Sequence, residues 1–269
     1  MNIVVCIKQV PDVPTIRIDK QRMTIIREGV ESVSNPLDCV ALEAALELKA
    51  REGGSITALC MGPAQSEEAL REALAAGADN GILLTDIAFA GADTLATSRV
   101  LAKAISQLEP FPDLVLCGKQ TVDSDTGHVG PQIAEELDLP QICGVREIHM
   151  ESDDLIVKRS SDGFLETLRV TLPALLTVSP ELTVPHHVPL GDLEKAFSEG
   201  SISCLGIEEL GLRPEEVGLQ GSATRVWKLY KPQPKGEGEI IKGPPQELLA
   251  YFVKKLESLS ILDEEDGND

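Results

Sequence analysis

The stretch DLVLCGKQTVDSDTGHVGPQ, Asp113 to Gln132, decides the fold class. Its apolar run, Leu114 to Cys117, reads as a buried parallel strand, because strands covered on both faces carry continuous apolar residues. That run stops at Gly118. The loop beyond it holds Lys119, the glycines Gly127 and Gly130, and a row of hydroxyl and acidic side chains. Pro131 suits a first helical turn, where its missing N–H costs nothing, and Gln132 to Leu137 has helical composition. A strand, a glycine-bearing loop and a helix start together make an anion site, since unpaired N–H groups and the helix dipole point into the loop. An ordinary strand–helix connection would show the same outline. The loop is neither a Walker loop nor a GxGxxG fingerprint.

Outward from this loop, strand and helix signals alternate. Asn2 to Lys8, Ser55 to Cys60 and Gly81 to Leu84 read as strands. Leu37 to Arg51, Glu67 to Ala76 and Thr94 to Leu108 read as helices. Pro36 opens the first helix and Gly53-Gly54 closes it; Gly77 closes the second. Thr15 to Ile18 and Thr24 to Arg27 flank a polar tetrapeptide and predict a hairpin. This spacing predicts an α/β fold with a doubly wound, mostly parallel, Rossmann-like sheet of the adenine nucleotide α-hydrolase type. In such a sheet the ends Cys6-Ile7-Lys8, Met61-Gly62-Pro63 and Gly118-Lys119-Gln120 converge on one crevice, and Asn35-Pro36 adds a helix start. After Leu137, Val145 to Met150, Asp154 to Arg159 and Leu165 to Val170 alternate and predict an antiparallel meander on one sheet edge; Ala174 to Val178 is one more strand. Beyond Pro180 only short helices are expected, Leu190 to Phe197 and Ile207 to Leu210, with another near Gln246 to Leu259. Residues 231–243 read as an extended arm, and a tail without its own core wraps a partner.

Composition narrows the function. With 24 Lys+Arg against 44 Asp+Glu the net charge is −20, which argues against nucleic acid or an anionic membrane face as partner. No apolar run approaches the ~18 residues of a spanning helix, and Met1-Asn2-Ile3-Val4-Val5 lacks a basic leader start, so a cytoplasmic protein without membrane insertion is expected. The six cysteines show no CxxC spacing, and His186-His187 has no third ligand nearby, so no metal is expected. Cys6, Cys60 and Cys117 each end a strand-like run and read as small core residues.

The segments VVCIKQVPD, SVSNPLDCVALEAALELK, ALCMGPAQSEEALREALAAGAD, LVLCGKQTVDSDTGHVGPQIAEEL, DGFLETLRVTLPALLTV and ELTVP, in this order, resemble the β subunit of electron transfer flavoprotein over nearly the whole chain. The resemblance implies a heterodimer with a flavin-carrying α subunit. It divides the chain into a nucleotide-binding domain, residues 1–185, and a recognition segment with an arm around the α subunit, residues 186–269. It also implies a nucleotide held by Cys6, Asn35, Asp38, Met61, Gly62, Lys119, Gln120, Asp123, Asp125, Thr126, Gly127, His128, Val129 and Gly130. Adenine would lie near Cys6, Asn35 and Met61. Phosphates would meet the amides around Asp125 to Val129 and the Thr126 hydroxyl. Asp123 and Asp125 would repel a pyrophosphate, so they are expected to accept backbone N–H bonds that shape the loop, or to bind ribose.

Family members that serve acyl-CoA dehydrogenases keep AMP in the β subunit; bifurcating members hold a second FAD and take hydride from NADH. Thr126 with His128-Val129-Gly130-Pro131 resembles the bifurcating and nitrogen-fixation form DGDTAQVGP, from which Ser124 and His128 depart. FAD is therefore expected over AMP, with NADH as electron source and ferredoxin or flavodoxin as an acceptor. No acid–base constellation is needed, because the cofactor carries the chemistry. Leu182 matches the family's leucine that anchors a dehydrogenase, although His186-His187 departs from the basic and tyrosine residues found there. A nucleotide-sensing module of the universal-stress type would share the sheet but would leave the arm and ELTVP unexplained.

Overall fold

The computed structural model describes all residues except 13–16, 20–23, 27–31, 153, 200–201, 229–237, 239 and 260–269; for 17–19 and 24–26 it describes the backbone alone. In chain order the first half comprises β1 (Asn2–Ile7), β2 (Gln9–Pro11), β3 (Arg17–Asp19), β4 (Thr24–Ile26), β5 (Ser32–Ser34), α1 (Pro36–Glu52), β6 (Ser55–Met61), α2 (Glu67–Ala76), β7 (Asn80–Leu84), α3 (Thr94–Ser106), β8 (Leu114–Gly118) and α4 (Val129–Glu136). The second half follows with β9 (Gln141–Glu151), β10 (Asp154–Ser161), β11 (Phe164–Thr171), β12 (Ala174–Val178), α5 (Leu190–Glu199), β13 (Ile202–Leu205), α6 (Ile207–Leu210), α7 (Gly218–Gly221) and α8 (Pro245–Ser258). The chain divides into two compact units, Met1–Lys228 and Leu229–Asp269.

The first unit is built on a nine-stranded sheet in the order β11-β10-β9-β12-β8-β1-β6-β7-β13. Every pairing from β9 to β13 is parallel, and β10 pairs antiparallel with both β9 and β11. Along β1 the side chains alternate between two cores. Ile3, Val5 and Ile7 pack with Val40, Ala41 and Leu48 of α1 and Ala69, Leu70 and Ala73 of α2. Val4 faces Val100 and Ile105 of α3 and Ile133 and Ala134 of α4. The sheet is thus wound on both faces, as the strand–helix alternation predicts. Each fully buried Leu or Ile contributes on the order of 1.5–3 kcal/mol.

Strand order places the crevice. From β1 the chain steps outward through β6 to β7, then returns across the sheet so that β8 lies on the other side of β1. The switch point is therefore between β1 and β8, where Cys6 stands beside Cys117.

The structure adds three features to the sequence reading. The meander strands β9 to β11 sit at one edge, and β12, the one further strand expected at Ala174 to Val178, joins β9 to the parallel body. At the other edge β13 pairs with β7, and the first compact unit extends to Lys228. Four residues after a proline-rich stretch are too few to show a strand period. Finally, β2 pairs with β5 before α1 begins, and that bridge was not expected. The hairpin is present as β3 and β4, with its flanks and most of residues 231–243 outside the described residues.

Candidate functional site

The N-terminus of α1 organises the crevice. Asn35 precedes Pro36 at the helix start, the position where a short polar side chain would normally accept an N–H of its own helix. It makes no such bond. Its amide instead donates to the Gln120 carbonyl at 3.0 Å and accepts the Val122 N–H at 3.2 Å, while its backbone N–H donates to the Lys8 carbonyl at 2.9 Å. Asn35 is wholly buried, so these bonds replace water that cannot reach it.

Asp38, in the first turn of the helix, is also buried. Its Oδ2 accepts the Lys8 N–H at 2.9 Å and its Oδ1 accepts the Gly118 N–H at 3.2 Å. One carboxyl group thereby joins the residue after β1 to the last residue of β8. Burial pushes its pKa up to about 7, opposed by the bonds from Asn35, Lys8 and Gly118 and by the Lys8 charge. Gly118 is required here: a Cβ would meet Asp38 Oδ1 and lie 2.8 Å from the Leu37 carbonyl carbon.

The loop from β8 to α4 is tied to the same strand ends. Lys8 Nζ donates to both oxygens of Asp123 at 2.8 and 2.7 Å, and Thr121 Oγ1 donates to Asp123 Oδ1 at 2.7 Å. Gln120 donates its side-chain amide to Asp125, whose own N–H returns to the Thr121 carbonyl at 2.8 Å. Asp125 and Gly127 take left-handed φ values of 56° and 66°, which turn the chain into α4. Both acids accept side-chain donors that tie the loop, Asp123 from Lys8 and Thr121 and Asp125 from Gln120. Lys8 neutralises Asp123, which lifts part of the repulsion a phosphate would meet.

Helix α4 starts at Val129, with His128 before it and no side-chain cap on its first turn. Gly130 lets that turn sit against β12, since a Cβ there would lie 2.6 Å from Thr177 Cγ2. Thr126 and His128 are exposed, and the buried Oε1 of Gln132 has no hydrogen-bond partner. Open amides, a hydroxyl and glycine close approach form a donor set that suits an anionic group.

Most of the residues expected for the site are brought to this one end of the sheet. Cys6, half-buried, lies beside Cys117; Asn35, Asp38, Lys119, Gln120, Asp123 and the stretch to Gly130 surround the β1–β8 crevice. Met61 and Gly62 end the adjacent strand β6, where Gly62 donates to the Leu84 carbonyl at 3.0 Å and packs on Ser66. Burial pushes the Cys60 thiol up to about 12, and a hydrogen bond with Cys6 together with burial raises Cys117, so both stay neutral core groups. Lys8, expected at the crevice as part of a strand end, is not among the residues expected to hold the nucleotide. Only its position at the end of a crevice strand could have flagged it. Leu182 leans on the core beside α1, whereas Val184 is 83% exposed. Thr183 donates to Glu47 at 2.5 Å, and His186 reaches Glu43 of the same helix at 2.6 Å.

An open parallel sheet with a glycine-bearing loop and an uncapped helix start at its switch point defines a doubly wound α/β protein of the ligand-holding kind. The electron transfer flavoprotein domain matches residues 22–200. The chain is 45% identical over 262 residues to an electron transfer flavoprotein subunit beta from Thermoanaerobacterium thermosaccharolyticum, covering 97% of this chain and all of the relative. It is 44% identical over 264 residues to the caffeyl-CoA reductase-Etf complex subunit CarD of Acetobacterium woodii, covering 97% and 100%. To protein FixA of Sinorhizobium fredii it is 42% identical over 253 residues, covering 89% and 86%. The chain belongs to the electron transfer flavoprotein family, as a β subunit. Its function is electron transfer, and β subunits of this family pair with an α subunit. Among the described residues no helix is long and apolar enough to cross a membrane.

Proposed function

We propose that this β subunit holds a second FAD in the β1–β8 crevice and that, with its α subunit, it takes hydride from NADH for flavin-based electron bifurcation. The observation that carries the reading is the loop from Asp123 to Pro131: Thr126, Gly127, Val129 and Gly130 lead into an uncapped α4, in the form that resembles bifurcating relatives. Relatives named for a caffeyl-CoA reductase-Etf complex and as FixA support it.

The residues present fit such a group. Amides of Gly127, His128 and Val129 and the Thr126 hydroxyl would hold the pyrophosphate, next to the left-handed turn at Asp125 and Gly127. Cys6, Asn35, Asp38, Met61 and Gly62 border the adenine side, while Lys119 and Gln120 close the crevice from β8. The Lys8 ion pair would offset the Asp123 charge felt by the anion. A flavin held there would supply two-electron exchange with a hydride donor and one-electron transfer onward. A dehydrogenase of the acyl-CoA type takes one branch and a ferredoxin or flavodoxin the other, in a cytoplasmic complex. The segment around Leu182 and Val184 meets the dehydrogenase, and the chain beyond residue 228 wraps the α subunit; α8 considered alone exposes Leu249 and Phe252.

The test is to co-purify the chain with its α subunit, denature the complex and quantify the released nucleotides by chromatography, then titrate with NADH. Two FAD per heterodimer and bleaching by NADH are expected. One FAD with one AMP, and no response to NADH, would replace this reading with a single-path electron carrier whose β-subunit nucleotide is structural.

A further inference from the structure

We infer that Asp38 is a proton-responsive positioning residue, a latch that holds the nucleotide loop in its binding geometry without itself touching the nucleotide. The inference rests on the crevice between β1 and β8 being the nucleotide site. Both carboxylate oxygens are already engaged, Oδ2 by the Lys8 N–H and Oδ1 by the Gly118 N–H, and the group is buried. With both oxygens holding strand ends and the group buried, its part is to position the loop.

What it joins is specific. Lys8 carries the ion pair to Asp123, and Gly118 begins the loop whose next turns Asn35 pins at Gln120 and Val122. One carboxylate therefore sets the spacing of the two strand ends that flank the switch point, and through Lys8 the position of the loop. Only the ionised form accepts strongly at both oxygens. A proton on one of them converts that acceptor to a hydroxyl facing an N–H, and one strand end is released.

The groups facing Asp38 leave this equilibrium to the carboxyl itself. From β1 comes Lys8, with Asp123 behind it; from α1 the Cys39 thiol, pushed up to about 11 by burial; from β6 and β8 the thiols of Cys60 and Cys117, also raised and neutral. With the carboxyl titrating at about 7, the latched fraction falls from about nine-tenths at pH 8 to about one-tenth at pH 6.

The experiment measures retention of AMP and of FAD by the full heterodimer, with the β-subunit nucleotide exchanged by dialysis, from pH 6 to pH 8.5 for the natural chain and for Asp38→Asn. Binding by the natural chain is expected to weaken roughly tenfold from pH 8 to pH 6. Asp38→Asn should bind more weakly at pH 8 and show no such slope. In parallel, the amide resonances of Lys8 and Gly118 in the natural protein should shift together with a single midpoint near neutrality, a readout that does not depend on the variant folding. Nucleotide retained with the same affinity and slope in both proteins, or amide resonances that do not titrate, overturns the latch alone. A natural chain that retains neither nucleotide at any pH overturns the proposed site and the latch with it.

Discussion

Gly118→Ala offers a quantitative test of the crevice. A Cβ at this position would lie 2.8 Å from the Leu37 carbonyl carbon and 2.9 Å from the Asp38 nitrogen, against about 3.4 Å for ordinary contact. Both obstructing atoms are backbone, so no rotamer change relieves them. The first turn of α1 must retreat by about half an ångström, which takes the 3.2 Å bond from the Gly118 N–H to Asp38 past hydrogen-bonding range. Overpacking of a tight site costs about 1–3 kcal/mol, and loss of a hydrogen bond to a charged acceptor about 1.5–3 kcal/mol. Together the expected destabilisation is about 2.5–6 kcal/mol. The assay is urea unfolding followed by circular dichroism, with Gly191→Ala as control. Gly191 sits near the start of α5 with open space around it, and the change there should be neutral or stabilising by up to ~1 kcal/mol. A Gly118→Ala midpoint equal to that of the natural chain would refute the packing argument, and with it the claim that α1 and β8 are held at a fixed separation.

Three other outcomes follow from the same geometry. Lys8→Met removes the counter-charge of the Asp123 carboxylate, whose side chain is 3% exposed; a loss of about 1–3 kcal/mol is expected by thermal unfolding, and Lys8→Met combined with Asp123→Asn should cost less than the two single changes added. Asp38 binds its proton more tightly folded, at about 7, than its ordinary 3.8. Its contribution to stability is therefore complete below pH 4 and disappears as pH rises through 7, by up to about 4 kcal/mol. Denaturation of Asp38→Asn across this window should lack that decline, so the variant gains on the natural chain as pH rises; parallel curves would contradict the raised pKa. Ile133→Ala empties a fully buried site where α4 meets the sheet, and a loss of about 2–5 kcal/mol with weaker nucleotide retention is expected from unfolding and dialysis together.

Local order was largely legible in the sequence. The helix from Pro36 is opened by a proline and ended by Gly53, and the continuous run Leu114 to Cys117 marks a strand covered on both faces; neither signal needs a distant partner. From their alternation the doubly wound class follows, and with it the end of the sheet where a ligand belongs. The individual contacts of the site were not legible. Lys8 meets Asp123 across 115 positions and Asn35 meets Gln120 across 85, separations at which no periodicity carries information. The bonds from Asp38 to the Lys8 and Gly118 amides were hidden for the same reason, since they span 30 and 80 positions.

What the sequence determined by itself is the set of elements and the chemistry of the loop, because capping residues, glycines and apolar period act over a few positions. Tertiary structure alone decided which strand ends are neighbours. Placing β8 beside β1 turns Lys8, Asn35 and Asp38 into a support for the loop, and pairing β13 with β7 draws the segment after α5 into the sheet. These contacts exist only once hydrogen bonding across the sheet has set the strand order, and burial then forces each polar group among them to find its partner.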